Sequence, residues 1–162
     1  MNRFVALSSL AAVLAAAGPA LAAGPLHAGD PAPPFTLQQD TGSKFSLSSL
    51  KGKPVYLNFF ASWCAPCNEE APSVVSLAKK YHAKGLVVVG VDEQESADKA
   101  KGFADKYKMT YPIVLDDGPM GKDYGVLALP VHVFIDRNGK ISTYRLGEMN
   151  PGEIEDAIKK IV

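Results

Sequence analysis

The stretch "PVYLNFFASWCAPC", Pro54 to Cys67, decides how this chain folds. Its first half, Pro54 to Phe60, is a short apolar run rich in aromatic and branched residues, which suits a strand buried on both faces. Its end carries both cysteines of the 162-residue chain, Cys64 and Cys67, beside the only tryptophan, Trp63. Beyond them Val74, Leu77, Ala78 and Tyr81 recur at helical spacing. The segment "KKYHAKG", Lys79 to Gly85, sets basic residues at the negative end of the helix dipole and predicts Gly85 as the C-cap. The two cysteines therefore fall at a strand-to-helix junction, with the sulfurs near the helix N-terminus. Partial positive charge and free N–H groups there stabilise a thiolate. Cys64, the first and expected to be the more exposed, is the candidate nucleophile. Cys67, one turn inside, is the candidate resolving thiol.

A structural staple is a weak reading of this pair. A disulfide stabilises mainly by closing a loop in the unfolded chain, by roughly 3 kcal/mol for a loop of about 15 residues and less for shorter ones. Only Ala65 and Pro66 lie between these cysteines. A closed zinc site wants four donors, and beyond the sulfurs only His27, His82 and His132 offer nitrogen, with no paired spacing. Covalent haem attachment needs histidine directly after the second cysteine, where this chain has Asn68. Redox chemistry fits best.

With 47% hydrophobic and 21% charged residues, the composition is that of one ordinary globular domain. The first residues read as an export signal: Arg3, an apolar run from Phe4 to Ala17, Gly18-Pro19, then the small-residue triplet Ala20-Leu21-Ala22. Cleavage is expected after Ala22, giving a signal peptide over 1–22, a loop-like segment over 23–34 and one domain over 35–162. An uncleaved membrane anchor is the alternative, since residues 4–23 carry no charge. The mature chain is then close to neutral, with 16 basic and 17 acidic side chains, and offers no nucleic-acid surface.

Outward from the cysteines, "LVVVGVD" (Leu86 to Asp92) reads as a buried strand, and the stretch from Ser96 to Lys108 as a polar helix with Phe103 and Tyr107 inward. A short strand is expected from Ile113 and a helical turn around Met120 to Tyr124. "VHVFID" (Val131 to Asp136) turns through Arg137 to Lys140 into "KISTYRL", a hairpin signal. Pro151 opens a last amphipathic helix reaching Val162. Strand–helix–strand order, then a hairpin and a helix, predicts a layered α/β fold.

From Gly29 onward the chain resembles the exported, thioredoxin-like thiol-disulfide oxidoreductases of the TlpA/ResA type. The resemblance is carried by "FSLSSLKGKPVYLNFFASWCAPC" (residues 45–67), by Glu70 and Pro72, by "LPVHVFIDRNGKI" (residues 129–141), and by an extra segment around residues 93–112. It implies a thioredoxin-like fold: a central mixed sheet flanked by helices, an N-terminal β-hairpin near Phe35 to Leu47, and an insert between central strands.

The same resemblance implies the site. Cys64 and Cys67 would be the redox-active disulfide, and Pro130 a cis-proline that, with Leu129, Trp63 and Pro66, meets the substrate chain. Glu70, on the helix face of Cys67, resembles a carboxylate that tunes thiol acidity and shuttles protons; a solvated first-turn acid is the plain alternative. Trp63 would flank the cysteines, unless it is a core residue. Pro72 should kink the helix. Asn58 stands where thioredoxin itself has a buried aspartate. His132 replaces a frequent threonine; it would be an ordinary strand histidine or would approach the sulfurs.

The implied reaction is thiol-disulfide exchange with no metal or organic cofactor, most simply as a periplasmic reductase of protein disulfides. An oxidase or isomerase, or a copper chaperone using Cys64, Cys67 and His132, are the alternatives; a peroxiredoxin-type peroxidase fits less well, because its cysteine has a different local pattern. The implied partners are protein disulfides, among them apocytochrome c in cytochrome c maturation or a copper-centre protein, and a membrane electron donor resembling DsbD or CcdA. Val131 stands where cytochrome c maturation relatives often carry glutamate. The chain is expected to act as a monomer.

Overall fold

The computed structural model describes residues 26–162. The expected signal peptide, 1–22, lies outside the described residues. The strands are β1 (Thr36–Gln39), β2 (Lys44–Ser46), β3 (Val55–Phe60), β4 (Val87–Glu93), β5 (Ile113–Asp116), β6 (Val131–Ile135) and β7 (Ile141–Leu146). The helices are α1 (Ala65–His82), α2 (Ala97–Tyr107), α3 (Pro119–Asp123) and α4 (Pro151–Lys159), with a 3-10 turn at Leu47–Leu50.

The strands form one seven-stranded sheet in the order β2-β1-β5-β4-β3-β6-β7. The apolar run that opens the cysteine stretch becomes β3, buried at every position. It pairs in parallel with β4, Phe60 opposite Asp92, and antiparallel with β6, Asn58 opposite His132. Alternate residues of β3 serve different layers. Leu57 and Phe59 join Val89, Val91, Val131, Val133, Met120 and Tyr124 on one face. On the other, Tyr56 packs with Val74, Leu77, Tyr81, Phe134 and Ile154, and Phe60 with both cysteines, Ala71 and Phe103. This is the helix-flanked mixed sheet that the resemblance implies, with the β1–β2 hairpin on its edge and α2 in the insert between β4 and β5.

Several details depart from the sequence reading. Helix α1 ends at His82 with Ala83 as its cap; Gly85 lies beyond, in the left-handed region at φ 87°, where the chain turns toward β4. Residues 29–32, expected as plain loop, are tied to the sheet. The Gly29 and Ala32 N–H groups donate to Ile141 and Gly139, and Ile141 donates back to Asp30. Among the described residues no helix is long and apolar enough to cross a membrane.

Candidate functional site

Cys64 is the N-cap of α1, and Pro66 sits in the first helical turn, where a missing N–H costs nothing. The two sulfurs form a disulfide of 2.01 Å. The Cys67 N–H points back at Cys64 Sγ, 3.3 Å away. The cap position thus places the Cys64 sulfur where a helix presents its unpaired N–H groups, the setting that favours a thiolate on reduction.

Exposure does not separate the two cysteines as expected: both are 4% exposed in the disulfide form. They are packed against Phe60, Ala71 and Phe103, with Leu129 against the same cluster. Trp63, by contrast, is 70% exposed, so a core role is excluded and it stands as a flank beside Cys64. The Leu129–Pro130 bond is cis, and Leu127, three residues before Pro130, is among the most exposed large apolar side chains.

The turn before Cys64 is gripped from two sides. Asn68 Nδ2 donates to the carbonyls of Ser62 and Cys64, at 3.0 and 2.8 Å. Asn68 Oδ1 in turn accepts from Tyr107 Oη and Lys106 Nζ on α2, at 2.7 and 2.9 Å. On the other side the Glu95 carboxylate accepts from the Ser62 N–H and hydroxyl.

Glu70 is not a solvated first-turn acid. It is 5% exposed, and one carboxylate oxygen accepts the backbone N–H of Met149, just before α4. The other oxygen lies 3.3 Å from His132 Nε2, close enough for a charge contact, but neither atom makes a hydrogen bond. On the far side of the imidazole the Tyr56 hydroxyl is 2.8 Å from His132 Nδ1, with Asn58 Nδ2 at 3.5 Å. Burial first, then the charge of Glu70 and the proximity of Tyr111, hold the Tyr56 hydroxyl well above its ordinary value, so it keeps its proton. A buried hydroxyl needs an acceptor, and His132 Nδ1 is the one in reach. The imidazole proton then belongs on Nε2, facing Glu70. His132 therefore faces the carboxylate, with Nδ1 engaged by Tyr56 and Nε2 3.3 Å from Glu70. Among the described residues no group of three or more histidine, cysteine or acidic side chains is placed to hold a metal ion.

A family model described as AhpC/TSA matches residues 28–144, from the segment before β1 well into β7. The chain belongs to the AhpC/TSA family. It is 36% identical over 137 residues to the thiol-disulfide oxidoreductase ResA of Bacillus thuringiensis subsp. konkukian, covering 84% of this chain and 79% of the relative. It is 38% identical over 136 residues to the thioredoxin-like protein YneN of Bacillus subtilis, covering 82% and 79%. Among solved structures, a putative thiol:disulfide interchange protein DsbE from Chlorobium tepidum superposes with a TM-score of 0.78 at 34% identity, covering 84% of this chain and 98% of that one. The fold is thioredoxin-like and the protein is a thiol-disulfide oxidoreductase of the ResA and DsbE kind.

Sequence reasoning brought Cys64, Cys67 and Glu70 to one helix and missed what surrounds them. Asn68 lies four residues after Cys64, a spacing that puts it on the same helix face; that signal was available. The Glu95–Ser62 and Glu70–Met149 contacts join residues 33 and 79 positions apart, and no local pattern announces them.

Proposed function

We propose that this protein works outside the cytoplasm as a reductase of protein disulfides. In the reduced enzyme the Cys64 thiolate attacks one sulfur of a substrate disulfide. A mixed disulfide forms and the other substrate sulfur leaves as a thiolate, which takes up a proton. Cys67 then loses its proton and attacks Cys64 Sγ, releasing the second substrate thiolate and leaving the Cys64–Cys67 disulfide. The substrate gains two electrons and two protons, and the enzyme's dithiol loses them.

The observation that carries this reading is the Cys64–Cys67 disulfide at the start of α1, with Cys64 as N-cap and the Cys67 N–H aimed at its sulfur. Glu70 is the proton acceptor for Cys67: it follows by three residues on the same helix, is buried, and is held by Met149 and His132. Trp63, Pro66, Leu129 and Pro130 form the rim that meets the substrate chain, which the exposure of Trp63 supports. Oxidised enzyme must be recharged, and a membrane dithiol carrier of the DsbD or CcdA kind is the partner proposed for that step. Residues 1–22 act as the export signal and the domain acts as a monomer. An extracytoplasmic setting is supported by the relative described as a secreted Mycobacterium tuberculosis disulfide oxidoreductase, 29% identical over 78% of this chain. Apocytochrome c and copper-centre proteins are the substrate classes to test first.

Direction is tested by equilibrating the purified domain with a thiol buffer. A potential near thioredoxin's, about −270 mV, supports a reductant. A value near DsbA's, about −120 mV, makes the protein a disulfide donor and overturns the reading. In the native host, Cys67→Ser should accumulate mixed disulfides through Cys64 with its substrates, whereas Cys64→Ser should not.

A further inference from the structure

Exchange chemistry makes no use of a pair of acids lying beside the turn that carries Cys64. Asp92 lies near the end of the buried run of β4, opposite Phe60. It is 0% exposed, and neither carboxylate oxygen has a hydrogen-bond partner. Two orphaned oxygens in a fully buried carboxylate are costly. A proton on Asp92 removes the problem, because the carboxyl can then donate to Glu95 beside it. The same arrangement lifts the Asp92 carboxyl to about 7, through burial first and then the charge of Glu95.

Glu95 is the other half of the pair. Its side chain is 2% exposed, and Lys99 Nζ lies 3.5 Å from one oxygen. Its two oxygens accept both donors of Ser62, the backbone N–H and, at 2.8 Å, the hydroxyl. Ser62 is two residues before Cys64, and Asn68 holds its carbonyl from the opposite side. The backbone just before Glu95 is fixed as well: Gln94 sits at φ 56° and donates its N–H to Asp116. The ionisable groups that face Asp92 are Glu95 in this loop and Lys99 on α2; Glu93, its neighbour on β4, points to the opposite face of the sheet.

We propose that Glu95 is a positioning residue for Cys64: with the shared proton on Asp92, its carboxylate clamps Ser62 and fixes the turn that presents the nucleophilic sulfur, and the clamp loosens when Asp92 ionises. The inference rests on Cys64 being the attacking thiol. Loss of the Asp92 proton leaves two buried carboxylates in contact, which repel. Glu95 can relieve the repulsion only by withdrawing toward Lys99 and solvent, and its grip on Ser62 goes with it. Exchange at Cys64 is then geometrically best on the acid side of the Asp92 titration, and the clamp is a pH-dependent brake on the site.

Trp63, the sole tryptophan, sits between Ser62 and Cys64 and reports on this turn. Its fluorescence in the oxidised protein, where neither cysteine titrates, should show an inflection between about pH 6 and 8 that follows Asp92. Asp92→Asn should abolish that inflection. Glu95→Gln should move it to lower pH, because the neighbouring negative charge is gone. Glu95→Ala should slow disulfide exchange by roughly tenfold or more through misplacement of the sulfur, mainly in kcat, with KM little changed. The proposal fails if wild-type fluorescence is flat across this range, if the inflection survives in Asp92→Asn, or if Glu95→Gln leaves it in place. Should Asp92→Asn not fold, the wild-type and Glu95→Gln titrations decide alone. The fluorescence readout needs no exchange activity, so it separates failure of the clamp from failure of the reductase reading.

Discussion

Glu70 is buried with a backbone N–H on one oxygen and, 3.3 Å from the other, an imidazole whose tautomer is set by a tyrosine. That arrangement fixes the side chain one turn along α1 from Cys67 without an opposing full charge, which suits the proton acceptor proposed above. Glu70→Gln should therefore slow the second half of exchange, Cys67 attacking the mixed disulfide, by roughly a hundredfold. The lifetime of a trapped enzyme–substrate mixed disulfide measures it, and an unchanged lifetime would end the proton-acceptor role. His132→Ala should cost about 3 kcal/mol in urea unfolding, because it empties a fully buried site and strands the Tyr56 hydroxyl. Tyr56→Phe, which strands only Nδ1, should cost about 1–2 kcal/mol. The family resemblance and the spacing from Cys67 pointed to Glu70, but its partners come from β6 and the α4 approach, and His132 read either as a strand histidine or as one near the sulfurs because a histidine's neighbours across a sheet leave no trace in its own strand.

At the scale of elements, the cysteine chemistry depends on how two helices begin. Helix α1 begins with a cysteine as cap, a residue type that caps poorly compared with serine or aspartate. The turn is compensated from outside by Asn68 and Glu95. Helix α4 begins conventionally: Asn150 and Glu153 form a capping box, and Pro151 takes the first helical position. Its cap matters to the site because the preceding residue, Met149, supplies the N–H that holds Glu70. Asn150→Ala should lower stability by about 1 kcal/mol, measured by thermal or urea unfolding of the oxidised protein. Pro151 predicted this start from sequence, and the apolar run with a helical repeat behind it predicted β3 and α1, because those signals lie within one element. Gly85 misled the placement of the α1 end for the same local reason: a left-handed glycine marks the turn but not how many residues the helix yields before it.

Across the whole molecule, β4 ends in acids that point to opposite faces of the sheet. Asp92 meets Glu95 on the cysteine side, and Glu93 meets Asp116, whose oxygens accept the N–H groups of Met120 and Gly121 at the start of α3. A Cβ at residue 121 would lie 2.8 Å from Glu93 Oε2 and would push the Glu93 carboxylate out of place. The sequence placed Asp92 at the end of a buried strand, but nothing in it paired Asp92 with Glu95 or Glu93 with Asp116, because those partners come from a loop and from another strand. Glu93 is pushed up from 4.5 to about 8 by burial first, then by the Asp116 charge and the hydrogen bond between them. Between those two pH values the unfolded chain releases a proton that the native protein keeps. Stability therefore falls as pH rises from about 4.5 toward about 8 and levels off above. Glu93→Gln keeps a donor for Asp116 and removes the titration. In urea unfolding of the oxidised protein the variant should match wild type near pH 5 and exceed it by about 1–3 kcal/mol at pH 8. A gap of the same size at both pH values would show that Glu93 is already ionised in the native state and that its proton is not what joins β4 to β5 and α3.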